Sequence, residues 1–279
     1  MAKHHTIQSM ESARWRVEPG APFDLGTIDP GDTSPAPGDK KITNAAVKEL
    51  RDRLAELQGR LYAAGDQALL VVLQAIDAGG KDGTIKHVFK GVNPQGCKVT
   101  SFKQPNSTEL SHDFLWRIHQ NTPHKGMFGI FNRSHYEDVL VVRVHDLVPE
   151  HVWRRRYELI RNFENELSVE GTRIVKFYLH ISKEEQADRF RRRLERPDKR
   201  WKFSHADLEE RKHWDDYRAA FNEAIASTTT ETAPWYVIPG DHKWFRNWCV
   251  LTTLVETLED INPQYPEPAD DLPSPADVV

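Results

Sequence analysis

Between residues 44 and 64 the apolar positions Val47, Leu50, Leu54, Leu57 and Leu61 fall three or four apart, which predicts an amphipathic helix with one stripe turned to a core. Thr43 stands as its candidate N-cap and Gly65 as its stop. The pattern then changes character. Residues 68–76 read ALLVVLQAI, a nearly continuous apolar run that fits a parallel strand buried on both faces. Further strands are predicted at 98–102, 127–131, 174–180 and 235–239, with helical patterns at 110–120, 150–167 and 208–225. Strands alternating with helices predict the α/β class, with a parallel sheet covered by helices on both sides. Ligands of such sheets collect beyond the carboxyl ends of the strands. Chemistry is therefore expected in the loops after Ile76, Phe102, Phe131 and Ile181.

The first of those loops has a suitable composition. Residues 75–86 read AIDAGGKDGTIK, directly after the strand and before a helical pattern carrying Ile85, Val88 and Phe89. Gly79, Gly80 and Gly83 let backbone approach phosphate oxygens, the following helix N-terminus presents amides to them, and Lys81 adds a full charge. The match to the Walker A pattern GxxxxGK[ST] is incomplete, since Ala75 takes the first Gly position and Asp82 the Ser/Thr position. Taken alone, the segment also reads as an ordinary Gly-rich turn with a surface lysine. Asp77 bears on the choice, because a carboxylate beside a polyanion repels it unless a cation intervenes, which suggests Mg²⁺ with Asp77 among its oxygen ligands.

The third predicted strand runs into Asn132, Arg133, Ser134, His135, Tyr136, Glu137 and Asp138. Arg133 could clamp a phosphoryl oxygen through two nitrogens. Glu137 and Asp138 either serve such a site or simply favour the first turn of a helix through its dipole. His135 is expected to pack or hydrogen-bond rather than to act as a base. Residues 189–202 read RFRRRLERPDKRWK, a cationic concentration in a chain with 38 Lys and Arg against 42 Asp and Glu, net charge −4. That overall balance argues against a protein that coats nucleic acid. Trp153, Trp214 and Trp235 are expected in the core, whereas Phe114 or Trp116, beside Arg117, could line a nucleotide site.

Length and composition fit one large domain at about 42–261, with an N-terminal arm at 1–41 and a flexible tail at 262–279, both ends being rich in Pro, Gly and Asp. Cys97 and Cys249 lie far apart without metal-type spacing, which fits a reducing cytoplasm. No apolar run approaches the roughly 18–20 residues that span a bilayer, so no membrane association is expected.

Taken together and in order, AIDAGGKDGT, SFKQPNSTEL with HDFLWR, IFNRSHYEDV and EEQADRFRRRLERPDKRWKFS resemble the polyphosphate kinase type two family over about residues 45–250. The resemblance implies a three-layer α/β/α P-loop kinase fold with a parallel sheet and a helical lid, here at about 184–206. It implies Mg²⁺ as cofactor and reversible transfer of the terminal phosphoryl group of inorganic polyphosphate to a nucleotide, an ATP-regenerating activity. By the same resemblance Asp77, Lys81, Arg133 and Asp138 are the catalytic candidates. Gly79, Gly80, Lys81, Asp82, Gly83 and Thr84, with Arg189, Arg193 and Lys202 of the lid, would bind phosphate or polyphosphate. Lys103, Arg117, Asn132 and Glu137 would bind the nucleotide. Members restricted to nucleoside diphosphates tend to have Asp at the position of Asn132 and Asn at that of Glu137. This chain resembles instead the third class, which takes AMP and ADP, with guanine nucleotides as an alternative. A dimer or tetramer is implied. Gln186, Arg189 and Arg193 at helical spacing suit a linear polyanion, or else a solvated helix balanced by Glu184, Glu185 and Glu195, and Trp201 is expected to anchor the lid base by packing. The competing readings are an ATP-dependent nucleoside monophosphate kinase and a non-catalytic polyphosphate-binding protein.

Overall fold

The apolar run ALLVVLQ forms β1 (Ala68–Gln74), all seven residues of which are buried. That burial requires neighbours on both edges and layers on both faces, and a computed structural model describing residues 11–269 and 272 supplies them. Five parallel strands stand in the order β2 (Cys97–Ser101), β3 (Phe128–Asn132), β1, β4 (Thr172–His180) and β5 (Trp235–Pro239). In register, Leu73 lies opposite Asn132 on one side and Phe177 on the other, so the ends of β1, β3 and β4 open onto one place. There the chain order reverses between neighbouring strands, the crevice where open α/β sheets bind ligands.

Alternate residues of β1 point to two cores. Leu69, Val71 and Leu73 join one with α1 (Lys40–Ala64), α2 (Lys81–Val88) and α10 (Lys243–Ile261). Leu70 and Val72 join the other with α5 (Glu137–Val144), α6 (Glu150–Val169) and α9 (Trp214–Thr228). The result is the expected three-layer α/β/α arrangement. Between β4 and α9 lie α7 (Lys183–Glu195) and α8 (His205–Lys212), around the segment for which the resemblance implies a lid.

Local differences from the sequence reading have physical causes. The first helix begins at Lys40 because the Asp39 carboxylate caps it, accepting from the amides of Lys41 and Ile42, while Thr43 is buried one turn inside. Gly65 ends it in the left-handed conformation, φ 64°. The helix expected over 110–120 is instead two single turns, α3 (Ser107–Leu110) and α4 (Trp116–His119), the first closed by a reciprocal Asn106–Glu109 capping box. The pattern at 208–225 divides into α8 and α9 at His213.

Residues 11–39 lie against the domain. Trp15 packs edge-on to Phe245 and Trp248, and Arg16 bridges Tyr236 of β5. Of the expected arm and tail, residues 1–10, 270–271 and 273–279 lie outside the described residues. Among the described residues no helix is long and apolar enough to cross a membrane.

Candidate active site

The link from β1 to α2 is a tight loop. Gly79 donates its amide to the Ile76 carbonyl at 2.9 Å, and both Ala78 (φ 60°) and Gly80 (φ 101°) are left-handed. A side chain on Gly79 would meet the Cβ of Ala75 and stand 2.8 Å from the Ile76 oxygen; one on Gly80 would collide with the Arg246 guanidinium. The glycines are thus required for close packing. Lys81 opens α2 and folds its ammonium back to the Ala75 carbonyl at 2.8 Å. Burial, together with the nearby Arg133, pushes its pKa down to about 8. Thr84, one turn on, is buried and bonds the Gly80 carbonyl, closing its own helix.

At the end of β3, Arg133 takes φ 63° and reaches across to Asp77 at 3.0 Å and to Glu137 at 3.6 Å. Beneath this turn lies a fully buried polar group. Glu164 of α6 accepts from Lys176 of β4 at 2.6 Å, from the Tyr136 hydroxyl at 2.8 Å and faces His135 at 3.1 Å. Lys176 also donates to the Thr228 carbonyl. Burial lowers the His135 pKa, consistent with a neutral hydrogen-bonding ring. Asp138 faces Arg117 at 3.7 Å and Arg156 at 3.6 Å, and burial outweighs those charges, raising its carboxyl to about 6.

Helix α7 is stitched to the β1–α2 loop. Gln186 donates to the Asp77 carbonyl at 2.9 Å. Arg189, buried, donates to the carbonyls of Ala78 and Gly240 and to Glu185. Beyond α7, Lys202 reaches the Asp82 carboxylate at 2.8 Å, whose other oxygen accepts from Asn132 at 3.0 Å. Between the lid and α5 lies a cleft of about 200 Å³, with Asp77, Arg133, Glu137 and Glu210 as polar groups and Leu140, Trp214 and Phe221 as apolar wall.

A family model described as polyphosphate kinase 2 matches residues 38–266. The chain belongs to the polyphosphate kinase 2 family. It is 56% identical over 255 residues to an AMP/ADP-polyphosphate phosphotransferase of Meiothermus ruber, covering 91% of this chain and 96% of that one. It is 45% identical over 270 residues to an ADP-polyphosphate phosphotransferase of Rhodopseudomonas palustris, covering 92% and 93%. The crystal structure of polyphosphate kinase 2 from Arthrobacter aurescens TC1 superposes with a TM-score of 0.91 at 42% identity, covering 94% of each chain.

Within this polyphosphate kinase fold, Asp77, Lys81, Asp82, Asn132, Arg133 and Glu137 converge at the ends of β1 and β3. Asp138 and Arg117 form a layer behind them, where Arg117 is buried and holds the Lys103 carbonyl at 2.8 Å. The Lys103 side chain is exposed and Arg193 is half-exposed beside Phe190. Trp153 and Trp235 are buried as expected, whereas Trp214 is partly exposed to the cleft. Trp201 corrects the sequence reading: it is 76% exposed at the lid tip, because the turn after Pro197 carries it away from any neighbouring layer.

Three contributors were missed by the sequence reading. Arg246, 1% exposed, leans on Gly80, while α8 offers Glu210 and α9 offers Tyr217 to the cleft. The signal for Arg246 was its place in the first turn of the helix that follows the fifth strand, a strand end to which the same rule applies.

Phosphoryl-transfer enzymes of this kind imply a metal ion. Among the described residues no three His, Cys, Asp or Glu side chains gather as a metal cage. Asp77, Asp82 and Glu137 nevertheless offer isolated hard oxygens around the β1–α2 loop. That set fits a divalent cation carried mainly by phosphate and water.

Proposed function

We propose that this protein transfers the terminal phosphoryl group of inorganic polyphosphate to AMP and to ADP, reversibly, with Mg²⁺ as its metal. The observation that carries the reading is the convergence of Lys81, Arg133 and Asp77 beside a Gly-rich loop that opens onto an apolar-walled cleft. The M. ruber relative, named for both AMP and ADP, supports two acceptors on one protein. The cleft under Trp214 takes the acceptor nucleoside, and Arg133 at its mouth receives the acceptor phosphate.

The acceptor phosphate oxygen attacks the terminal phosphorus of the chain in line. A new P–O bond forms as the bridging P–O bond to the next residue breaks, and the shortened chain leaves with the bonding electrons. Nucleotide phosphate is already ionised near neutral pH, so no strong general base is needed. Lys81 and Arg133 offset the charge that spreads over the equatorial oxygens. Asp77 orients Arg133, and the Gln186 and Arg189 bonds hold the lid over the loop, limiting water and hence hydrolysis. Mg²⁺, held by phosphate with Asp77 and Asp82, would supply further charge neutralisation. We propose also that the protein works in the cytoplasm as a homo-oligomer.

The test is nucleotide analysis after mixing protein, AMP, polyphosphate and Mg²⁺, beside Lys81→Ala and Asp77→Ala. Successive ADP and ATP, lost in both variants, is the expected result. Conversion of ADP alone would remove AMP as an acceptor. AMP phosphorylation by ATP without polyphosphate would replace the donor, and no conversion in any mixture would overturn the reading.

A further inference from the structure

Arg133 reaches toward Asp77 from a backbone conformation that has to be held. Its φ is 63°, a region that residues with a Cβ seldom occupy and keep only where their surroundings fix it. The ion pairs of its own side chain are weak clamps, since Arg133 is 40% and Asp77 30% exposed, and the Glu137 contact is long at 3.6 Å. The direction of the guanidinium is therefore set largely by the turn on which it stands.

That turn is anchored from beneath, one residue after another. The Arg133 amide donates to the Leu73 carbonyl of β1 at 3.1 Å. The buried Ser134 hydroxyl accepts from Gln74 Nε2 at 3.1 Å and from the Tyr136 amide at 3.2 Å, which ties the turn to the last residue of β1. His135 and Tyr136, both buried, converge on a single carboxylate oxygen. Oε1 of Glu164 accepts from His135 Nε2 at 3.1 Å and from the Tyr136 hydroxyl at 2.8 Å. The other ring nitrogen of His135 has no partner among the described residues, so Glu164 is the one polar anchor of that ring among them.

Lys176 completes the group. Its three ammonium hydrogens go to Glu164 Oε2 at 2.6 Å, to the Tyr136 hydroxyl at 2.9 Å and to the Thr228 carbonyl at 2.8 Å. The charge that makes Glu164 a strong acceptor is thus matched, and no donor of the lysine is left over. None of His135, Tyr136, Glu164 and Lys176 lines the cleft. An apolar pair of similar volume is often as stable as such a buried ion pair, but it offers no acceptor at a fixed point.

We propose that Glu164, with Lys176 as its counter-charge, is a positioning residue for phosphoryl transfer: through His135 and Tyr136 it holds the turn that carries Arg133 and so aims the guanidinium at the transferring group. This rests on the reading of Arg133 as a group that offsets charge during transfer, and adds what aims it.

The test uses the full chain with Tyr136→Phe, with Lys176→Met and Glu164→Leu together, with Arg133→Ala, and with Tyr136→Phe and Arg133→Ala together. Each is assayed for AMP phosphorylation by polyphosphate well below its melting temperature. Tyr136→Phe keeps the ring but removes one of the two bonds to Oε1, and kcat should fall about threefold. The paired Lys176→Met and Glu164→Leu variant should melt nearer to wild type than Lys176→Met alone, since no buried charge is left unmatched, and yet lose about tenfold or more in kcat. The polyphosphate KM should move by less than about twofold in both, because the contacts of Lys81 are untouched. In the Arg133→Ala background Tyr136→Phe should lower kcat no further, as no guanidinium remains to be aimed. A fall in kcat that is the same with and without Arg133 assigns Tyr136 to stability alone and overturns the positioning role. So does a paired variant with wild-type kcat; if that variant fails to fold, the comparison of Tyr136→Phe in the two backgrounds still decides. An Arg133→Ala protein with wild-type kcat removes Arg133 from the transfer, and the positioning role with it, while leaving the donor and acceptor reading in place. Wild-type protein that transfers nothing from polyphosphate would overturn both.

Discussion

Lys81 shows how one residue's environment sets a pH response. Its amine is tucked against the Ala75 carbonyl, and burial, followed by repulsion from Arg133, lowers its pKa to about 8. In the free protein it is charged below that value and loses its proton as pH rises through it. A bound phosphate favours the charged form and moves the titration upward. The kcat/KM for polyphosphate, which reports the free protein, should therefore fall above about pH 8, while the fall in kcat appears at higher pH. Lys81→Arg, charged throughout, should flatten that limb in any activity it retains. A kcat/KM that stays level between about pH 7 and 9 in wild type would contradict this account.

Elements are joined at the site by two kinds of polar contact with different energetic weight. The fully buried Glu164–Lys176 pair ties α6 to β4 beneath the turn that carries Arg133. Lys176→Met strands the Glu164 carboxylate beside His135 and Tyr136, and should destabilise the fold by about 3–5 kcal/mol in chemical denaturation. Replacing both partners, Lys176→Met with Glu164→Leu, should recover much of that loss; a single variant as stable as wild type would show the pair to be dispensable. The Lys202–Asp82 contact is different, with side chains 31% and 65% exposed. Such pairs contribute at most about 1 kcal/mol. Lys202→Gln should leave the global unfolding midpoint nearly unchanged and raise amide hydrogen exchange across residues 200–206, since the turn loses its tie to α2. Unchanged exchange there would mean that the lid tip is held by something other than this bond.

For the whole molecule, net charge and local charge have opposite signs. The chain carries −4 overall, yet Lys81, Arg133, Arg189, Arg246 and Lys202 gather around one loop. Attraction of a linear polyanion to such a cluster is long-ranged and is screened by salt, whereas a nucleoside in an apolar cleft is held largely by burial. Raising ionic strength from about 0.05 to 0.5 M should increase the polyphosphate KM several-fold more than the AMP KM. Equal sensitivity of the two would argue that the cation cluster does not hold the donor.

Periodicity, the buried β1 run and the ordered motifs were enough to read the α/β class, the strands, the Gly-rich turn after β1 and the family. Those features are local in sequence: a helix stripe, a doubly buried strand and a Gly-rich turn each announce themselves within about ten residues. The position of Asp77, Lys81 and Arg133 beyond the strand ends was legible for the same reason. The order β2-β3-β1-β4-β5 and the meeting of residues from distant segments were decided only in three dimensions. No local pattern distinguishes Arg189, which folds inward onto the Ala78 carbonyl, from exposed Arg191 on the same helix, because the difference is what α7 packs against. Arg246 shows the same limit most plainly. In sequence it is one charge at the start of an apolar helix; tertiary packing of α10 on α2 buries it against Gly80 and leaves one nitrogen without a partner.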